Sequence, residues 1–173
     1  MKLFSTHRKE SFQTRWLRWK YNLWPCIFCS GGKVTFIASD FMEVHVSLSL
    51  NLRTMNRVGT IFGGSIYSSI DPHFMLMLMR ILGKNYVVWD KEAHIRFVRP
   101  ATGKMKCRFI LQDSLIGEIR QHIAQKGEYV FDLPLRFEDE SGKIYAAFTK
   151  TMYVADKAFY NQKLQHRKLK GNA

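Results

Sequence analysis

Residues 74–82, Phe-Met-Leu-Met-Leu-Met-Arg-Ile-Leu, are apolar on nearly every side of a helix, Arg80 excepted. A helix that is apolar all round is buried all round. Whatever this chain folds into must therefore wrap that segment. The helix is expected to open at about Gly64, after a Gly-rich turn over 59–64, and to stop at Gly83. Pro72 falls inside it and should kink it. The apolar run is far short of the ~20 residues that span a membrane.

The wrapping material is legible as alternation. Residues 33–39 place Val34, Phe36 and Ala38 on one face, and 43–50 set Val44, Val46, Leu48 and Leu50 against Glu43, His45, Ser47 and Ser49. A period of two with one apolar face marks a half-buried strand. Further strands are expected over 86–98, 104–111, 128–138 and 143–154, with a hairpin turn at 140–143 joining the last two. Pro134 suggests an edge or bulge in the fifth strand. A short helix capped by Asp113 or Ser114 should bury Leu115, Ile119 and Ile123. The fold class is α+β, an antiparallel sheet of about six strands wrapped around a long central helix.

Residues 11–24 read as an N-terminal amphipathic helix with Phe12, Trp16, Trp19 and Leu23 at helical spacing, ended by Pro25. Its expected fate is packing on its own domain. Peripheral membrane contact or a partner protein is the alternative, because Trp with Arg and Lys is an interfacial composition. Charge belongs to this part of the argument. The chain carries 27 Lys+Arg against 14 Asp+Glu, a formal +13. Residues 1–24 and 157–173 contribute +5 each, leaving a nearly neutral 25–156. The division is a basic N-terminal helix (1–24), a folded domain (25–156) and a basic C-terminal tail (157–173). A charge confined to the ends is poor evidence for nucleic acid, and no nucleic-acid motif is present.

No apolar stretch follows the opening Met-Lys-Leu-Phe, so no signal peptide is read and a cytoplasmic protein is expected. Three cysteines fit a reducing compartment. Cys26 and Cys29 form a lone C-x-x-C without further ligands nearby and are read as packing residues. His45, His73, His94 and His122 have no metal spacing, so no metal and no resident cofactor are expected.

The chemistry-bearing stretch runs from Asn56 through Gly59, Gly63 and Gly64 to Asp71. A Gly-Gly pair at a helix N-terminus leaves backbone N–H groups approachable, which suits a carbonyl oxygen gaining charge. Eight residues along a continuous helix return Asp71 to roughly the side of Gly63. A carboxylate there can attack a polarised carbonyl or activate water. A glycine turn beside a solvated or helix-pairing Asp explains the same residues equally well.

Asn56-x-x-Gly59-Thr60-x-x-Gly63-Gly64 followed by Asp71 resembles the signature of hotdog-fold acyl-CoA thioesterases of the phenylacetate-pathway branch. With Asp71-Pro72, Leu82-Gly83, residues 86–91 and 95–100, it is closer still to an uncharacterised single-hotdog group of that superfamily. The resemblance implies a homodimer or homotetramer that hydrolyses an acyl-CoA or acyl-carrier thioester, coenzyme A being part of the substrate. It implies that Gly63 polarises the carbonyl, that Asp71 is nucleophile or general base, and that Asn56 acts from the facing subunit. Gly64 and Asp90 join the substrate site, Asp90 standing where some relatives have a hydroxyl. Phe62 replaces the His of many active relatives, and Pro72 follows the catalytic-type Asp. These departures support the alternative of a non-catalytic acyl-thioester or lipid-binding module. Lys91 shares parity with the apolar Ala93, Ile95 and Phe97, and is read as a structural ion pair or a partner for Asp71 or substrate. Arg96 and Arg99, with Lys104 and Lys106, are candidates for coenzyme A phosphates.

Overall fold

The computed structural model describes residues 6–171. Strands β1 (Lys33–Ile37), β2 (Glu43–Ser49), β3 (Tyr86–Phe97), β4 (Lys104–Ile110), β5 (Glu128–Glu138) and β6 (Ile144–Asp156) form one antiparallel sheet, ordered β1-β2-β4-β5-β6-β3. Helices α1 (Phe12–Leu23) and α2 (Pro25–Ser30) precede it. Helices α3 (Gly63–Ser68) and α4 (His73–Leu82) lie between β2 and β3, α5 (Asp113–Lys126) between β4 and β5, and α6 (Lys157–Gly171) follows β6. The expected α+β sheet of six strands around a central helical segment is what forms.

The core joins Phe74, Met77, Leu78 and Leu82 of α4 to the inner faces of the strands, with Val46, Cys107, Phe109, Phe137 and Val154 all buried. The alternation of β4 and β5 is realised as read: Met105, Cys107, Phe109, Phe131, Leu133, Leu135 and Phe137 point inward. Pro134 lies where β5 has no β4 neighbour, because the β4–β5 ladder covers only Cys107↔Phe137 and Lys106↔Glu138. The missing amide there costs no ladder bond.

Several expectations are corrected. The long helix is not kinked but broken into α3 and α4, because Pro72 has no N–H to continue the ladder and becomes the N-cap of α4. Helix α4 is not enclosed on every side: Met79 is exposed and Met75 and Leu76 are half-buried, since the sheet covers one side. A bulge between Val34 and Phe36 turns Ile37 rather than Phe36 inward. Strand β2 is buried on both faces. Glu43 accepts hydrogen bonds from Thr6, His45 and Arg108, which allows that carboxylate to be covered. Gln112, not Asp113 or Ser114, occupies the N-cap of α5, and Ile116 replaces Leu115 in its buried stripe.

Helix α1 packs on its own domain, but with the opposite face from the one its apolar stripe suggests. Ser11 caps it in a capping box with Thr14, which is buried. Arg18 pairs with Glu10 at 2.8 Å. Asn22 donates to the carbonyl of Val34 and accepts from its amide, at 2.9 and 2.7 Å. Phe12, Trp16, Trp19 and Leu23 face outward. Cys26 and Cys29 are also corrected: both are exposed on α2, which Pro25 starts at its first turn. Among the described residues no group of His, Cys, Asp and Glu could hold a metal ion, and no helix is long and apolar enough to cross a membrane.

Candidate functional site

The helix break places Asp71. Its amide still donates to the carbonyl of Tyr67, so Asp71 ends the last turn after α3 instead of riding two turns along one helix. Its side chain is 44% exposed and lines a cleft of about 580 Å³ with Gly64, Ser65, Tyr67 and Phe62. Behind it lies a group the sequence reading missed. Lys150 of β6 is fully buried, and its Nζ lies 2.9 Å from Asp71 Oδ1, 3.2 Å from the Asp71 carbonyl and 3.1 Å from Asp90 Oδ2.

Strand register explains that cluster. Lys150 shares inner-face parity with Phe148, Met152 and Val154, and sits between Ala93 of β3 and Leu133 of β5. A bulge at Lys91, between Asp90 and Glu92, inserts one residue into β3. One extra residue reverses the faces on either side of it. Asp90 therefore joins the inner face, pairing opposite Met152, while Lys91 is exposed and lines a separate pocket with Trp89 and Tyr160. The lysine expected beside Asp71 is thus Lys150, not Lys91. The signal was present, a lone Lys on the apolar parity of β6, but the bulge made Lys91 look equivalent.

The electrostatics follow from burial and pairing. Burial pushes the Asp90 carboxyl above its usual range, against the pull of Lys150, and its Oδ1 has no hydrogen-bond partner among the described residues. Burial opposes the charge on Lys150, but Asp71 and Asp90 together hold its pKa above the usual lysine value. Burial and the neighbouring Asp71 charge raise the Tyr67 phenol. His73, wholly buried against the Phe109 ring with its Nε2 3.1 Å from the Ser69 carbonyl, is pushed down by burial to about 4 and is neutral at pH 7.

The Gly63-Gly64 pair opens α3, whose first intrahelical bond is from the Ile66 amide to Phe62 O. The amides ahead of it have no partner within the helix. A Cβ on Gly64 would run into the exposed Phe62 ring, which would have to swing aside, whereas one on Gly63 would stand 3.1 Å from the exposed Phe97 ring, a tight approach. The pair divides two clefts. Gly64 and Asp71 line the first, whereas Gly63, Asn56 and Arg99 line a second of about 460 Å³. Within one chain Asn56 is not brought to Asp71. Its Oδ1 accepts from the amides of Val58 and Thr60, and its Nδ2 donates to Thr60 Oγ1, so it folds its own loop. Arg96 is exposed on β3, and Lys106 is paired with Glu140.

An antiparallel sheet wrapped around a central helix is the hotdog architecture, and solved structures share that fold. A Pseudomonas aeruginosa protein of unknown function, described as a "Probable Thioesterase", superposes with a TM-score of 0.72 at 18% identity, covering 87% of this chain and 99% of that one. The Haemophilus influenzae thioesterase HI1161 gives 0.60 at 15% identity, covering 87% and 96%. The PaaI protein of the Escherichia coli phenylacetic acid degradation operon gives 0.54 at 14%, covering 81% and 92%. The chain belongs to the family described as "Domain of unknown function (DUF4442)", which matches residues 16–154. No curated protein matches it in sequence.

Proposed function

We propose that this protein hydrolyses acyl-CoA-type thioesters as a homo-oligomer. The observation that carries the reading is Asp71 at a cleft, beside the Gly-Gly helix start, with one carboxylate oxygen fixed at 2.9 Å by a fully buried lysine. A carboxylate so held is oriented at the cleft it lines before substrate arrives. In the proposed step, water gives a proton to Asp71 as its oxygen attacks the thioester carbonyl carbon. The Gly63 amide of the facing subunit, which shares the cleft of Asn56, takes the developing oxyanion. Collapse breaks the carbon–sulfur bond, and the thiolate leaves with the proton from Asp71.

Asp90 is the second carboxylate that offsets the charge on Lys150. Asn56 positions water or substrate from the facing subunit, and Arg99, with Arg96, meets the coenzyme A phosphates. No resident cofactor enters the scheme. The purified chain, assayed on a panel of acyl-CoAs, should turn over at least one. Asp71→Asn should lower kcat/KM about 100-fold or more; equal turnover by variant and parent would refute the role of Asp71. The alternative of binding without hydrolysis is favoured by Phe62 and Pro72, which line the Asp71 cleft and depart from the pattern of the resembled enzymes. Tight acyl-CoA binding by calorimetry with no turnover would establish it.

A further inference from the structure

Helix α1 is inside out. Its domain-facing side is held by Thr14, the Arg18–Glu10 pair and the double bond from Asn22 to Val34, with Tyr21 packed against the core. Its apolar side forms an outward ridge, with Phe12 84% exposed, Trp16 54%, Trp19 62% and Leu23 55%, continued by Trp24 and Phe28. A ridge of large apolar side chains in water is unfavourable by ~25 cal/mol for each Å², and such patches mark interaction sites.

The charge beside the ridge selects the occupant. Residues 11–33 contain Arg15, Arg18, Lys20 and Lys33 and no acid. Lys20 lies over the Trp16 ring at 3.5 Å, and Arg53 over Phe28 at 4.5 Å. Among the described residues no carboxylate pairs with Arg15 or Lys20. A second copy docked by a two-fold would set this acid-free patch against itself and oppose cation to cation. An anionic lipid surface satisfies both features: tryptophans settle at the headgroup boundary and flanking cations meet lipid phosphates.

We propose that the Phe12–Trp16–Trp19–Leu23 ridge and its flanking cations dock the protein on an anionic bilayer. Helix α2 continues the ridge through Phe28 and also rims the Asp71 cleft through Cys26 and Cys29. Docking therefore brings that cleft near the membrane, where long acyl chains partition. The docking stands independently of the hydrolase reading and is measured without substrate.

The test is flotation of the full chain with phosphatidylcholine vesicles and with vesicles also containing phosphatidylserine. The protein should float with the anionic vesicles, and its tryptophan emission should shift to shorter wavelength. Trp16→Glu/Trp19→Glu and Arg15→Gln/Lys20→Gln should each weaken binding about tenfold or more, with melting temperature unchanged because these side chains stand in solvent. Failure to float, binding unaltered in both variants, or a ridge-dependent dimer or RNA complex in place of vesicle binding would overturn the proposal.

Discussion

At the residue scale, Lys150 is the position on which the site depends. Removing one partner from a buried ion pair leaves the other charges uncompensated and costs about 3–5 kcal/mol, whereas exposed pairs are worth far less. Because Asp71 is 44% exposed, Lys150→Met should cost about 3 kcal/mol by urea denaturation, and adding Asp90→Asn should recover part of it. Lys91→Ala should change stability by less than about 0.5 kcal/mol, since its side chain is exposed. The pairing of those two results decides between the lysines. Asp71, Gly63 and Gly64 stood out in the sequence as candidates, although spacing alone fits a glycine turn beside a solvated Asp equally well. Lys150 carried a signal, a lone Lys on the apolar parity of β6, but the bulge in β3 that brings Asp90 to it made Lys91 look equivalent. His73 adds a pH signature. Its folded pKa of about 4 lies below the ordinary value near ~6.5. Below pH ~6.5 the unfolded chain takes the proton more readily, so stability should fall by about 3 kcal/mol as pH drops toward 4. His73→Gln should flatten that part of a stability–pH curve.

At the scale of elements, the strands were read well because alternation marks their extent, as in β4 and β5, even where bulges in β1 and β3 change the inward face and β2 is buried on both. The errors gathered where a local rule met a tertiary demand. Periodicity located α1 within a residue of its true ends but cannot say which face a helix presents. That was decided by Asn22, whose amide group substitutes for a neighbouring strand at Val34, and by Glu10, which accepts from the Ile37 amide at 3.0 Å. Both are polar groups that finish the open edge of β1. Asn22→Ala should therefore loosen α1 at a cost of about 1–2 kcal/mol. Amide exchange should rise selectively at Val34 and through 12–23, with the sheet interior unaffected; uniform exchange would show that α1 is held by something else.

At the scale of the molecule, the two sheet edges differ. Residues 9–22 close the β1 edge, while β3, twelve residues long, pairs with β6 on one side and with no other strand among the described residues. A long open strand is a template for another strand, and a second β3 across a two-fold axis would complete it without leaving a new edge. The same two-fold reconciles the divided candidates, since Asn56 and Asp71 line different clefts of one chain and need two chains to meet. Sedimentation equilibrium should give a dimer or a larger even assembly. Subunit mixing tests the sharing of the site directly. Asp71→Asn and Asn56→Ala homodimers should each be nearly inactive. After mixing and exchange, half of the dimers carry one of each chain, and each such dimer has one intact site. The mixture should then recover about a quarter of the wild-type activity. A mixture no more active than its parents, with exchange verified by mass labelling, would place Asn56 outside the reaction and leave it as the loop-building residue its hydrogen bonds to Val58 and Thr60 describe.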